Sequence, residues 1–228
     1  MVDQLVRQYF PEAQRLLDYG CGTGNHAAAF LDLGYSYTGM DREPNMLRQA
    51  ATKLASREVT LLDSSERDSI SDGSMDVVVC LFDVVSYMNR NAEFLDFLDY
   101  CHRVLVPGGV LLFDFWHGPG VISLGPEVRV KEWGTDDRHI LRIATPDHDW
   151  GRSVVRLTFD ILVFDQKKRL LERLQETHSM RYFFEQDIEL ALTVSGFSPV
   201  QFGTWEDTST SPTTKDWSAL VLARRGLE

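Results

Sequence analysis

The chain has 228 residues, of which 43% are hydrophobic and 25% charged, with a net charge of −11 from 34 acids against 23 bases. That is enough apolar material for one packed core and too little length for two full domains; without a block of Lys and Arg, the balance also speaks against nucleic acid, whose phosphates demand a basic face. Met1 to Arg7 contains an acid and no apolar run, no stretch long and apolar enough to span a bilayer follows, and Cys21, Cys80 and Cys101 are scattered, so the expectation is a cytoplasmic protein with no membrane, disulfide or metal framework.

The first half alternates strand and helix signals. Arg15 to Asp18 reads as a short strand running into a glycine cluster, with a helix from Asn25 to Leu33 behind it. Tyr35 to Met40 is a second strand, and Pro44 to Leu54 a helix with proline in its first turn. Val59 to Leu62 is a third strand. Met75 to Phe82, with three consecutive valines, is a fourth, apolar enough to be buried on both faces. Glu93 to Leu105 carries a helical apolar stripe, Pro107-Gly108-Gly109 stops it, and Val110 to Phe115 is a fifth strand. Beyond Trp116 the rhythm changes to alternating strand-like runs at 128–133, 139–144, 154–164 and 170–183, with 165–168 as a hairpin turn. A helix from Glu185 to Val194 and strands at 199–204 and 217–223 restore the α/β pattern. The expected fold is a doubly wound, Rossmann-like α/β domain over 1–228, with a mostly parallel seven-stranded sheet and an antiparallel β insertion at 117–183, after strand five and over the active site.

The most informative segment is Asp18-Tyr19-Gly20-Cys21-Gly22-Thr23-Gly24. Glycine at every second position permits positive φ and lets a ligand lie against bare backbone. The third glycine comes one residue too early for the dinucleotide fingerprint. The spacing resembles motif I of the class I S-adenosylmethionine-dependent methyltransferases, and the chain follows that plan to about residue 115. The resemblance implies S-adenosylmethionine as cofactor and S-adenosylhomocysteine as product. It also implies that Asp18 holds the amino-acid end and that the backbone of Gly20, Gly22 and Gly24 packs against methionine and ribose. Asp41, at the end of the second strand, would grip both ribose hydroxyls, as an acceptor-only carboxylate can. Met46 would lie on adenine, Asp63 would meet the adenine amino group, and Phe82 would line the pocket by its backbone. The plainer readings are that Asp41 caps the next helix and Met46 belongs to the core.

After strand four the chain reads Cys80-Leu81-Phe82-Asp83-Val84-Val85-Ser86-Tyr87-Met88, matching neither the Pro-Pro motif of amino-methylating DNA enzymes nor the Pro-Cys of cytosine enzymes. It resembles the small-molecule branch, including enzymes that methylate the amino group of nucleotide-linked sugars, where a histidine often stands at the place of Tyr87. Tyr87 would orient an acceptor amine or form an aromatic wall. His117 and His178 are the other acid–base candidates, and Trp116 a candidate for the acceptor pocket. Their plainer readings are a solvated loop histidine and a satisfied polar residue of the inserted sheet. The expected activity is methyl transfer to nitrogen on a small molecule such as an amino sugar or secondary metabolite. O-methylation and a non-catalytic cofactor-binding relative stay open, and homodimerisation is not excluded.

Overall fold

The computed structural model describes residues 1–135 and 137–227. In chain order the elements are α1 (Val2–Tyr9), β1 (Arg15–Tyr19), α2 (Ala27–Asp32), β2 (Ser36–Asp41), α3 (Pro44–Lys53), β3 (Thr60–Asp63), β4 (Met75–Cys80), α4 (Asn91–Val104) and β5 (Leu105–His117). They continue with α5 (Gly118–Leu124), β6 (Arg129–Gly134), β7 (Arg138–Asp149), β8 (Val154–Asp165), β9 (Leu170–Phe183), α6 (Glu185–Val194), β10 (Phe197–Gly203) and β11 (Ser218–Arg225). Strands β3, β2, β1, β4 and β5 run parallel in that spatial order. Strand β11 pairs antiparallel with β5, and β10 with β11. These seven strands are the mostly parallel sheet that the alternating pattern requires.

Neighbouring residues on the central strands feed opposite sides of the sheet, as a period of two demands. Leu17, Val78, Phe113 and Val221 join one core under Phe97, Leu98 and Cys101 of α4 and Ile188 of α6. Leu16, Val77, Leu112 and Leu220 join the other, covered by Val6 of α1, Phe30 of α2 and Leu54 beyond α3. Helices on both faces bury both, which is why β4 can be valine throughout its middle. Asp76 closes the bottom of β4: the backbone N–H groups of Gln14 and Arg15 donate to its Oδ2, and the Arg15 guanidinium reaches Oδ1 at 2.6 Å. Burial opposes its ionisation, but these donors outweigh that and hold the carboxyl below its usual range.

Three features depart from the sequence reading. Helices α1 and α5 were not anticipated; both are short, and α5 is permitted by Gly120, where a Cβ would stand 1.9 Å from the Asp216 carbonyl. Pro107-Gly108-Gly109 does not separate α4 from its strand. It forms an irregularity inside β5, whose pairing with β4 jumps from Leu105 to Val110. Strand β5 also runs two residues past Phe115, and there Trp116 and His117 pair in parallel with Tyr182 and Phe183 of β9. Strands β6 to β9 form an antiparallel sheet joined to the main one by that short contact.

Candidate active site

The carboxyl ends of the parallel strands open on a cavity of about 710 Å³. Gly20 and Gly22 line one side and Asp41 to Glu43 another; Met46, Val84, Tyr87 and His178 also reach it. Gly20 adopts φ +84° and Gly22 φ +54°. A Cβ on Gly20 would sit 2.8 Å from the Val84 methyls, whereas one on Gly22 would meet nothing within 4 Å. Both glycines border the cavity: at Gly22 the backbone is bare toward open space, and at Gly20 the missing Cβ lets the loop press against Val84 beyond β4. Gly24 stands apart from the cavity. The space of its absent Cβ borders Leu54 and Ala50, so its task is to let the loop close on α3.

Asp41 is fixed by two backbone donors, Gly22 N–H to Oδ2 at 2.7 Å and Glu43 N–H to Oδ1 at 2.9 Å. A carboxylate has about four acceptor positions, so each oxygen keeps one for a ligand hydroxyl. Gly20 and Cys21 N–H both donate to the Met40 carbonyl, tying the loop to β2. Asp18 is 2% exposed and does not face the cavity; its Oδ2 accepts from the Tyr37 hydroxyl at 2.7 Å. Burial pushes its carboxyl up to about 6, against the Tyr37 bond and with the negative charge of Asp41 adding to the rise.

Beyond β4 the backbone turns sharply. Phe82 and Asp83 have φ +65° and +60°, an uncommon conformation for a bulky side chain and costly unless its surroundings enforce it. Asp83 N–H donates to Asp114 Oδ1 at 3.1 Å, and the Ser218 hydroxyl to Asp83 Oδ1 at 3.0 Å. Trp205 Nε1 donates to Asp114 Oδ2 at 3.1 Å. Burial, aided by Asp83, pushes the Asp114 carboxyl up to about 7. The turn swings Val84 over Gly20 and leaves the Phe82 ring 66% exposed, stacked at 4.8 Å on His26.

Two residues from distant segments meet at the far end of the cavity. The Tyr87 hydroxyl lies 2.9 Å from His178 Nδ1, and His178 Nε2 lies 3.6 Å from Glu176 Oε2. Because the carboxylate only accepts, Nε2 is assigned the hydrogen and Nδ1 the lone pair that takes the Tyr87 proton. Burial raises the Tyr87 hydroxyl above its ordinary value, with Arg42 acting against the rise. The Arg42 guanidinium stands 5.7 Å over the Tyr87 ring.

Other expected site residues lie elsewhere. Asp63 is a correction: its Oδ1 takes the backbone N–H and hydroxyl of Ser65 while Glu66 returns to its own N–H, so it caps the following turn and Ser64 lines the cavity instead. His117 is another. The extension of β5 buries it beside a second cavity of about 450 Å³, with Nδ1 at 3.2 Å from the Asp216 carbonyl and Nε2 at 3.9 Å from Glu185. Trp116 packs in a satellite core with Val121, Val155, Met180 and Tyr182, its ring 5.0 Å from Trp217, rather than in the cavity wall. Phe82 is not among the lining residues, and Met46, 41% exposed, is. Arg42, Glu43 and Val84 went unnoticed in the sequence; the first two follow directly from Asp41 at a strand's carboxyl end, where α/β folds bind ligands.

A five-stranded parallel sheet closed by an antiparallel pair, with a glycine loop after β1 and an acid ending β2, defines the class I methyltransferase fold. Residues 17–113 match the family described as "Methyltransferase domain". The dTDP-3-amino-3,4,6-trideoxy-alpha-D-glucopyranose N,N-dimethyltransferase of Streptomyces venezuelae is 27% identical over 86% of this chain and 80% of its own. The dTDP-3-amino-3,6-dideoxy-alpha-D-glucopyranose N,N-dimethyltransferase of Streptomyces fradiae is 25% identical over 85% and 74%. Among solved structures, an S-adenosylmethionine-bound amino pentose methyltransferase from Micromonospora echinaspora superposes with TM-score 0.76 at 24% identity, covering 98% of this chain and 88% of that one. The chain belongs to the S-adenosylmethionine-dependent methyltransferases. Among the described residues, no helix is long and apolar enough to cross a membrane.

Proposed function

We propose that the chain transfers a methyl group from S-adenosylmethionine to an amine nitrogen on a small molecule of the amino-sugar class. The carrying observation is the Tyr87–His178 pair, set in the same cavity as Asp41 and the glycine loop. Its support is the similarity to the two amino-sugar N,N-dimethyltransferases.

The cofactor supplies an electrophilic methyl on sulfonium; the protein's task is to position and desolvate the acceptor. Asp41 binds the ribose diol through its two remaining acceptor positions, with Gly20 and Gly22 giving close backbone approach and Met46 lying on adenine. Asp18 is a positioning residue, acting through Tyr37 and the loop rather than by contact. An amine that arrives protonated must lose a proton before it can attack. The Tyr87 oxygen accepts an N–H from it, the Tyr87 proton moves to His178 Nδ1, and the Nε2 proton leaves toward Glu176, which is solvent-exposed. The same pair could activate a hydroxyl, which makes O-methylation the second reading.

The test is a panel of amino sugars, simple amines and matched alcohols given with S-adenosylmethionine, read by mass spectrometry of product and by S-adenosylhomocysteine release. Methylation at nitrogen is expected. Methyl transfer to oxygen alone, or to protein alone, would overturn the proposal.

A further inference from the structure

The segment that carries Tyr87 is held on both sides by side chains with no part in the chemistry so far described. Val84–Tyr87 form a short 3-10 helix between β4 and α4. On one side, Trp116 N–H of β5 donates to the hydroxyl oxygen of the fully buried Ser86 at 2.9 Å. On the other, Asn89 Nδ2 donates to the Tyr87 carbonyl at 2.9 Å and to the Ser179 carbonyl of β9 at 3.1 Å. Carbonyls only accept, so the two bonds decide which end of the amide is nitrogen. Asn89 Oδ1 is buried and has no hydrogen-bond partner among the described residues. What the side chain supplies is therefore its pair of N–H bonds. One short amide joins the backbone of Tyr87 to the backbone of the residue next to His178.

Strand β9 needs such a tie. Among the described residues its pairing with β5 is confined to Tyr182 and Phe183. A strand rises about 3.3 Å per residue, so His178 stands about 13 Å from the nearest point at which the main sheet holds its strand. Strand β8 pairs with β9 along the other edge, but it belongs to the same antiparallel sheet and gives no attachment to the cofactor side. Arg181 reaches Asn91 Oδ1 at 2.7 Å, through a long side chain that can follow a displaced strand. The Tyr87 hydroxyl and His178 Nδ1 lie at 2.9 Å, and proton transfer needs about 2.6–3.2 Å. A shift of β9 by less than the width of an atom would break that contact. The Asn89 amide acts one residue from His178 and two from Tyr87, where a tie is stiffest.

We propose that Asn89 is a positioning residue for the reaction: by bridging the Tyr87 and Ser179 carbonyls it sets the distance between the Tyr87 hydroxyl and His178 Nδ1. This rests on reading that pair as the proton path of methyl transfer, so the test reads the contact and the chemistry separately. The contact is read by NMR of protein with 15N-labelled histidine rings and S-adenosylhomocysteine bound, the His178 signals being assigned by their loss in His178→Gln. Asn89→Ala should shift the His178 Nδ1 resonance in the same direction as Tyr87→Phe does. The chemistry is read with the amine methylated fastest in the panel above. Asn89→Ala should lower kcat by about tenfold, with KM for that amine and S-adenosylhomocysteine affinity within about twofold of the wild type. In Tyr87→Phe protein the same change should cost less than about twofold more, since the contact it protects is already gone. Asn89→Asp keeps the size but sets a carboxylate oxygen against the two carbonyls; it should behave alike, and it stands in if the alanine protein does not fold. An unmoved His178 resonance, an unchanged kcat, or a loss that persists in full in Tyr87→Phe protein overturns the positioning role. Undiminished kcat in Tyr87→Phe alone would instead count against the proton path.

Discussion

Replacing Asp41 tests the cofactor assignment most directly. Its oxygens accept the Gly22 and Glu43 N–H groups at 2.7 and 2.9 Å, which aims the two remaining acceptor positions at a ligand. A hydrogen bond to a charged group contributes about 1.5–3 kcal/mol, so losing two to a ribose diol removes about 3–6 kcal/mol. That corresponds to a roughly hundredfold to ten-thousandfold rise in Kd. Water entering the space left by truncation places Asp41→Ala toward the lower end, while Asp41→Asn turns a donor toward either a backbone N–H or a ribose hydroxyl. Both variants are titrated with S-adenosylhomocysteine by calorimetry, with thermal melting to confirm folding. If both bind within about threefold of the wild type, a shift well under 1 kcal/mol, Asp41 does not hold the ribose and the cofactor pose is wrong.

Tyr87→Phe and His178→Gln should each lower kcat by about tenfold to a hundredfold with S-adenosylhomocysteine affinity unchanged. The double variant should lose little more than either single one, because the two act as a unit; full additivity in the kinetics would separate them. Gly20→Ala should both destabilise the fold and weaken cofactor binding, since φ is +84° and the added Cβ would meet Val84 at 2.8 Å; an unchanged melting temperature would contradict this. Asp114 titrates at about 7 when folded, against an ordinary value near 3.9, so between those values the folded state holds a proton that the unfolded chain has released. Its contribution to stability is greatest at low pH and declines as pH rises toward 7. Urea midpoints measured from pH 5 to 7.5 should show this decline reduced in Asp114→Asn, and equal slopes in both proteins would refute it.

Much of the architecture was legible because its determinants are local. Uninterrupted apolar runs along β4 and β5 marked strands covered on both faces, as a parallel sheet between helix layers requires. Pro44 marked the start of α3, and glycine at 20 and 22 announced a backbone that tolerates positive φ beside a ligand. Asp41 was legible for a similar reason: strand length alone carries it to the carboxyl edge of the sheet. Asp63 misled because an acid before Ser65 and Glu66 is equally a turn cap, and only the fold shows its oxygens already engaged.

The acceptor side was decided by tertiary structure. Tyr87 and His178 are 91 positions apart, and nothing in either neighbourhood states that they touch. Their meeting depends on β5 running on through Trp116 and His117 to pair with β9, a long-range contact that removes those two residues from the cavity as it brings His178 in. Local sequence encodes conformation and burial pattern, whereas proximity between distant side chains is a property of the register that the folded chain adopts.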